Sequence, residues 1–358
     1  MSDTTEMTER PPALLGHAPA EGHEAAELLA SARGRVDPEL RRAVDSLPGS
    51  MRRVALYHFG WECADGMPAV GSAGKAIRPA LVLAAVRALG GDPRAAVRAA
   101  TAVELIHNFT LLHDDVMDRD TTRRHRPTAW TVFGDADVIL AGEALQALAQ
   151  RLLAEDPHPG APAAAARLAA CVGELCAGQY ADCAGEGRPP GEVSLDECLA
   201  LAEAKTGALL GCACAIGALY AGADADAAEA LDGFGRQAGL AFQLIDDVIG
   251  IWGDPARTDE SARADLAARK KSLPVVAALA SGTTDGTTLA ALYGRDPVDD
   301  DLDRMALAVE VAGGRDWAQA QAAERMSLAL GELARAVPDP ERAGGLLALA
   351  EFVTRRTH

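Results

Sequence analysis

From about Glu24 to residue 355 the chain repeats one pattern: stretches rich in Ala and Leu, with apolar residues at helical spacing, each ended by a cluster of Gly, Pro or Asp. Gly90-Gly91-Asp92-Pro93, Asp156-Pro157-His158-Pro159, Gly187-Arg188-Pro189-Pro190 and Gly253-Asp254-Pro255 are such breaks. The pattern dictates roughly ten or more helices joined by short loops. Runs of alternating β-branched residues and repeats of fixed period are absent, which excludes sheet and solenoid architectures. Hydrophobic residues make up 49% of the chain but aromatics 4%, so the core must be built of Ala, Leu and Val. Such small side chains suit closely packed helices. The expected fold is therefore all-α, a single large helical bundle over residues 23–358. Residues 1–22, rich in Pro, Thr, Glu and Gly without an apolar period, read as a disordered leader. Ser281 to Asp303 clusters Gly, Thr and Asp and reads as a long loop or an irregular helix pair.

Charge narrows the functions open to such a bundle. The formal net charge is −18, which argues against nucleic acid and anionic membrane as partners, since both need a broad basic surface. An anionic substrate would have to bind at a local basic island. The seven cysteines lack companion histidines at zinc-finger spacing, and neither a disulfide framework nor a structural zinc is supported. That usage fits a reducing cytoplasm. The N-terminus has no basic segment followed by an apolar one, and no apolar run reads as long enough for an integral membrane segment.

The strongest chemical signal is Leu111-Leu112-His113-Asp114-Asp115-Val116-Met117-Asp118, an apolar helical run leading directly into three carboxylates. Positions i and i+4 share a helix face about 6 Å apart, so Asp114 and Asp118 can jointly hold a hard divalent cation. A solvated acidic helix end would look the same in isolation. However, a second acidic pair, Asp246-Asp247, ends another apolar run, Ala241-Phe242-Gln243-Leu244-Ile245. Two such pairs in apolar helices repel each other unless cations lie between them.

Basic residues supply the complement. Gly74-Lys75-Ala76-Ile77-Arg78-Pro79 sets a lysine and an arginine three apart beside a glycine, a pairing that suits a diphosphate. Alone it is more often a solvent-facing helix start. His107, three residues after Glu104 in an apolar run, is by itself more often a satisfied core histidine. Lys205, in the middle of an Ala/Leu helix, must either snorkel to water or meet an anion.

Taken together and in order, these motifs resemble the trans-isoprenyl diphosphate synthases, the family of farnesyl, geranylgeranyl and longer polyprenyl diphosphate synthases, from about residue 45 to 355. The matching landmarks are Gly74 to Pro79, His107, Asp114 to Asp118, Arg123-Arg124-His125-Arg126-Pro127-Thr128, Gly178-Gln179, Lys205-Thr206-Gly207, Phe242 to Asp247 and Lys270-Lys271-Ser272-Leu273-Pro274. Each is loose singly, and their joint order is specific. The resemblance implies an isoprenoid-synthase bundle with a central substrate cavity, acting as a homodimer, that joins isopentenyl diphosphate to an allylic diphosphate. It implies that Lys75, Arg78, His107 and Arg124 grip isopentenyl diphosphate. Asp114, Asp118 and Asp246 would hold Mg²⁺ ions against the allylic diphosphate, with Arg123, Lys205 and Lys270 closing around it. Thr206 and Gln243 would present oxygen dipoles to the allylic cation.

The match breaks in two places. Gly250 stands where the family carries the third acid of the second motif, and Asp254, about 12 Å along the helix from Asp246, is a poor substitute. In the next loop Asp259-Glu260 replaces a family lysine, and the neighbouring cations are Arg257, Arg263, Arg269 and Lys271. These departures leave two other readings open: a diverged class I terpene cyclase, and a non-catalytic subunit of a heteromeric synthase. Product length in the family follows the residues four and five before the first acidic motif. Here they are Thr110 and Phe109, one small and one aromatic, and Asp114 to Asp118 carries no insertion. That combination goes with geranylgeranyl diphosphate in the resembling synthases, with farnesyl diphosphate the runner-up and Phe109 the floor of the site.

Overall fold

The structure is a computed structural model that describes residues 20–69, 74–254, 263–295 and 300–354. Helices α1 (Ala20–Asp45), α2 (Gly49–His58) and α3 (Ile77–Ala88) open the chain, followed by α4 (Val97–Met117), the short α5 (Ala129–Phe133), α6 (Asp135–Ala154) and α7 (Ala161–Glu186). Next come α8 (Leu195–Ala202), α9 (Ala208–Tyr220) and α10 (Ala225–Trp252). The remainder is α11 (Ala264–Ala267), α12 (Leu273–Leu279), α13 (Thr284–Tyr293), α14 (Asp301–Val311), α15 (Gly314–Ala336) and α16 (Pro340–Thr354). Among the described residues the extended structure amounts to an antiparallel pair, β1 (Thr122–Arg123) with β2 (Arg126–Pro127), and an isolated bridge from Glu62 to Pro68.

The all-α expectation holds. Residues 1–19, most of the expected leader, lie outside the described residues, and α1 begins at Ala20. The stretch 281–303 resolves as a helix pair, because the Thr283 hydroxyl accepts the Gly286 N–H at 3.0 Å and caps α13, which packs on α14.

The bundle is built around α4, α9 and α10. In α9, Ala208, Ala213, Cys214, Ala215, Ile216 and Ala218 are fully buried, and their small side chains let α3 and α10 pack closely on either side. α10 also runs along α15, and α4 along α6. In α4 the fully buried Leu105, Ile106 and Leu112 each contribute about 2 kcal/mol by leaving water, which fixes the helix face that carries the acids.

One sequence expectation needs correction. Counted through a π-helical turn at Glu203–Gly207, Leu195–Tyr220 is a helix long and apolar enough to cross a membrane. Glu203 and Lys205 had broken the apolar run in the sequence. Most of its apolar window is buried inside the bundle, as expected for a core helix.

Candidate active site

α4 ends on Asp118, whose N–H bonds the Asp114 carbonyl at 2.8 Å, so the two carboxylates sit one turn apart. Asp115 points inward. It is 1% exposed, and its Oδ1 accepts from Arg123 Nε at 2.7 Å and lies 2.6 Å from Nη2. The β1–β2 pair delivers that guanidinium. Burial pushes the Asp114 carboxyl up to about 6; Lys205 opposes the shift and Asp118 adds to it. Gln179 on α7 places Nε2 3.5 Å from Asp118 Oδ1.

α10 repeats the first half of this arrangement. Asp246 is partly exposed, whereas Asp247 is 4% exposed and committed to the protein. Its Oδ1 accepts from Gln243 Nε2 at 2.8 Å and its Oδ2 from the Leu273 N–H at 2.9 Å. Gln243 Oε1 in turn accepts the Thr206 hydroxyl at 2.9 Å, which clusters two oxygen dipoles. Lys270 Nζ lies 3.8 Å from Asp247 and 3.7 Å from Asp265.

Between the two acidic helices runs the π turn, packed on both α7 and α10. Such turns often mark functional sites, and this one presents Lys205 and Thr206 together. Lys205 Nζ pairs with Asp182 Oδ2 of α7 at 2.6 Å. Despite desolvation, Asp114 and Asp182 hold the lysine above its ordinary pKa. Asp182 also acts on Lys270, whose pKa rises against desolvation through Asp247, Asp265 and Asp246 ahead of it. Asp182 therefore links the two acidic helices in one electrostatic neighbourhood.

A basic cluster occupies the N-terminal half of α4. Arg78 Nη1 lies 3.2 Å from His107 Nε2. Burial, then Arg78, Arg124 and Arg123, hold His107 well below the usual imidazole range. Burial, then Arg124 and Arg123, take His58 down to about 3. Both imidazoles are thus neutral, and the depressed values report a local positive potential in a strongly acidic chain. Behind them, His58 Nε2 donates to Asn108 Oδ1 at 3.1 Å, and Asn108 Nδ2 donates to the Glu104 carbonyl at 2.8 Å and to its Oε1 at 3.2 Å. Gly74 has φ +98°, and a Cβ there would lie 2.6 Å from Arg124 Nη2. The glycine is what lets that guanidinium approach the start of α3.

The residues named from sequence therefore fall into three groups: Asp114, Asp118 and Lys205; Asp246, Lys270, Gln243 and Thr206; Arg78, His107 and Arg124. Lys75 is exposed at the entry to α3. Arg123 is not turned wholly to a substrate, because Asp115 holds it. Phe109 is buried, its ring 4.8 Å from that of His113. Glu260 and Arg257 lie outside the described residues, while Arg263, Arg269 and Lys271 bond to Asp303, the Tyr293 carbonyl and the Gly185 carbonyl. Sequence reasoning missed Asp182, the Asp115–Arg123 pair and the Glu104–Asn108–His58 relay. Asp182 could have been found, since it lies one turn after Gln179 on an otherwise Ala-rich helix.

The polyprenyl synthetase family model matches residues 67–309. A geranylgeranyl diphosphate synthase of Mycobacterium tuberculosis is 48% identical over 347 residues, covering 96% of this chain and 97% of that protein. A (2E,6E)-farnesyl diphosphate synthase of the same species is 44% identical over 335 residues, covering 92% of each. Among solved structures, a polyprenyl synthetase from Streptomyces coelicolor A3(2) superposes with a TM-score of 0.88 at 43% identity, covering 92% of this chain and 99% of that one.

Proposed function

The chain belongs to the polyprenyl synthetase family, and from that premise we propose that it joins isopentenyl diphosphate to an allylic diphosphate, chiefly to make geranylgeranyl diphosphate. The observation that carries this reading is the pairing of two acidic helices with a guanidinium cluster along α4. Arg78, His107, Arg124 and the exposed Lys75 bind and orient isopentenyl diphosphate. Lys205 and Lys270 hold the allylic diphosphate from opposite sides, and Arg123 adds positive charge from its seat on Asp115. Among the described residues no three His, Cys, Asp or Glu side chains converge as a metal cage. That fits Mg²⁺, which takes one or two carboxylates and completes its shell with water and phosphate oxygens. Asp114, Asp118 and Asp246 would hold it, and when bound it offsets the charge of the departing diphosphate. Thr206 and Gln243 turn oxygen dipoles toward the allylic carbon as it becomes cationic, and the Ala/Leu walls exclude water. The double bond of isopentenyl diphosphate then attacks that carbon, and a proton is lost to the released diphosphate.

The similarity to the geranylgeranyl synthase of M. tuberculosis supports the product assignment, and that to the farnesyl synthase keeps farnesyl diphosphate as runner-up. Residues 23–358 act as one catalytic domain behind a leader, in the cytoplasm. The exposed Val132, Ile139 and Leu140 support a homodimer. The test is to incubate the protein with Mg²⁺, isopentenyl diphosphate and allylic diphosphates of increasing length, and to identify the products by mass. A twenty-carbon diphosphate is expected; a cyclic hydrocarbon, or no product, overturns the reading. Phe109→Ala should lengthen the product by one isoprene unit or more. Unchanged length in a folded, active variant removes Phe109 as the floor.

A further inference from the structure

On α4 the carboxylates of Asp114 and Asp118 stand at i and i+4. On α10 the residue one turn after Asp246 is Gly250, and the helix itself offers no second carboxylate on that face. The space beside Gly250 is nevertheless filled. A Cβ built there would lie 2.6 Å from Asp265 Oδ2, 2.7 Å from its Cγ and 3.1 Å from its Oδ1. An aspartate at position 250 would carry its own carboxylate oxygens about 2.4 Å from its Cβ, by ordinary bond lengths. Asp265 therefore delivers a carboxylate oxygen at nearly the reach that the missing side chain would have had.

Asp265 is held in that position. Leu266, next in the chain, is fully buried, and the Lys270 N–H donates to the Asp265 carbonyl at 2.9 Å, closing the turn after α11. The side chain is 14% exposed, and Lys270 Nζ lies 3.7 Å from Oδ1. Lys270 responds to Asp247, Asp265 and Asp246, so these acids share one neighbourhood. Because Asp247 is occupied by Gln243 and the Leu273 N–H, the acids left to act together on this side are Asp246 and Asp265.

We propose that Asp265 supplies the carboxylate that α10 lacks, holding a divalent cation together with Asp246 and the oxygens of a bound diphosphate. The inference rests on the Mg²⁺-dependent reading above and deepens it. Glycine at position 250 is then not a lost ligand but the opening through which a ligand from α11 enters. Two carboxylates with phosphate oxygens are a sufficient set for Mg²⁺, whose remaining positions keep water.

The test uses the full chain with Mn²⁺ as the probe and inorganic diphosphate as the anion, counting free Mn²⁺ by electron paramagnetic resonance. Asp265→Asn keeps the shape and removes the charge, and should weaken Mn²⁺ binding about tenfold or more. Gly250→Asp alone should clash with Asp265 and also weaken binding. The double variant Gly250→Asp/Asp265→Ala returns a carboxylate from the helix and should bind Mn²⁺ more tightly than Asp265→Ala. Wild-type affinity in Asp265→Asn, or a double variant no better than Asp265→Ala, overturns the proposal. So does a loss in Asp265→Asn confined to diphosphate binding in EDTA, which would make Asp265 merely a partner of Lys270. Asp114→Ala separates the two levels: if it alone loses Mn²⁺, the Asp265 role fails and the metal reading stands, whereas if neither variant loses Mn²⁺, both fail.

Discussion

The two acidic helices begin alike and end differently. In each, the first aspartate, Asp114 or Asp246, is partly exposed, and the second is buried and spent on the protein: Asp115 on Arg123, Asp247 on Gln243 and the Leu273 N–H. A doubled aspartate is therefore one outward ligand and one inward anchor, not two ligands. One turn later α4 carries Asp118, while α10 carries Gly250 with the Asp265 carboxylate against it. The first platform is local to its helix, and the second is assembled from distant segments. The same charge count is reached by i, i+4 spacing in one case and by tertiary packing in the other.

The largest expected effect comes from removing the outward ligand of the local platform. Asp114→Ala should lower kcat/KM at least about 100-fold, or about 3 kcal/mol, because it deletes a charge contact that tightens in the transition state. Steady-state kinetics at saturating Mg²⁺ check this. Asp247→Asn should cost about tenfold in the same assay, since it touches the site through Gln243 and the α12 start. Its shortfall should be carried by kcat, with Thr206 and Gln243 displaced. Equal losses for Asp114→Ala and Asp247→Ala would break the distinction between ligand and anchor.

How much of this the sequence could reveal follows the same division. The helical bundle was legible because Ala/Leu periodicity and Gly/Pro breaks are local signals. So was the Asp114–Asp118 pair, whose members are neighbours on one turn. The inward direction of Asp115 and Asp247 was not legible, because it depends on Arg123 and Leu273 arriving from other segments. Asp182 hid in a helix whose register alone does not say which face meets Lys205. Gly250 read as a simple loss, since nothing in the spacing of residues 250 and 265 shows that one fills the space the other vacates. The membrane-length helix Leu195–Tyr220 escaped for the opposite reason: its charged residues looked like an interruption, and a π turn carries them toward the site without ending the helix.

The smallest effect is on stability, and here ligand and anchor should differ in sign. Burial raises the Asp114 pKa from 3.8 to about 6 in the metal-free fold. Between those values the native state binds more protons than the unfolded chain, so stability falls as pH rises from about 4 to about 6, and the whole penalty is present at pH 7.5. Asp114→Asn removes it. The metal-free variant should melt a few degrees above wild type at pH 7.5, about 1 kcal/mol after solvent screening, and the gap should close by about pH 4. Asp247→Asn replaces one carboxylate oxygen by an amide nitrogen that cannot accept from the Leu273 N–H or Gln243, so it should melt below wild type by about 1–2 kcal/mol. Calorimetry in EDTA at pH 4 and pH 7.5 reads both. Adding Mg²⁺ with inorganic diphosphate at pH 7.5 should raise wild type past Asp114→Asn, because bound cation turns the repelled carboxylate into a stabilised one. A destabilised Asp114→Asn in EDTA at pH 7.5 would show that Asp114, like Asp247, is an anchor of the fold.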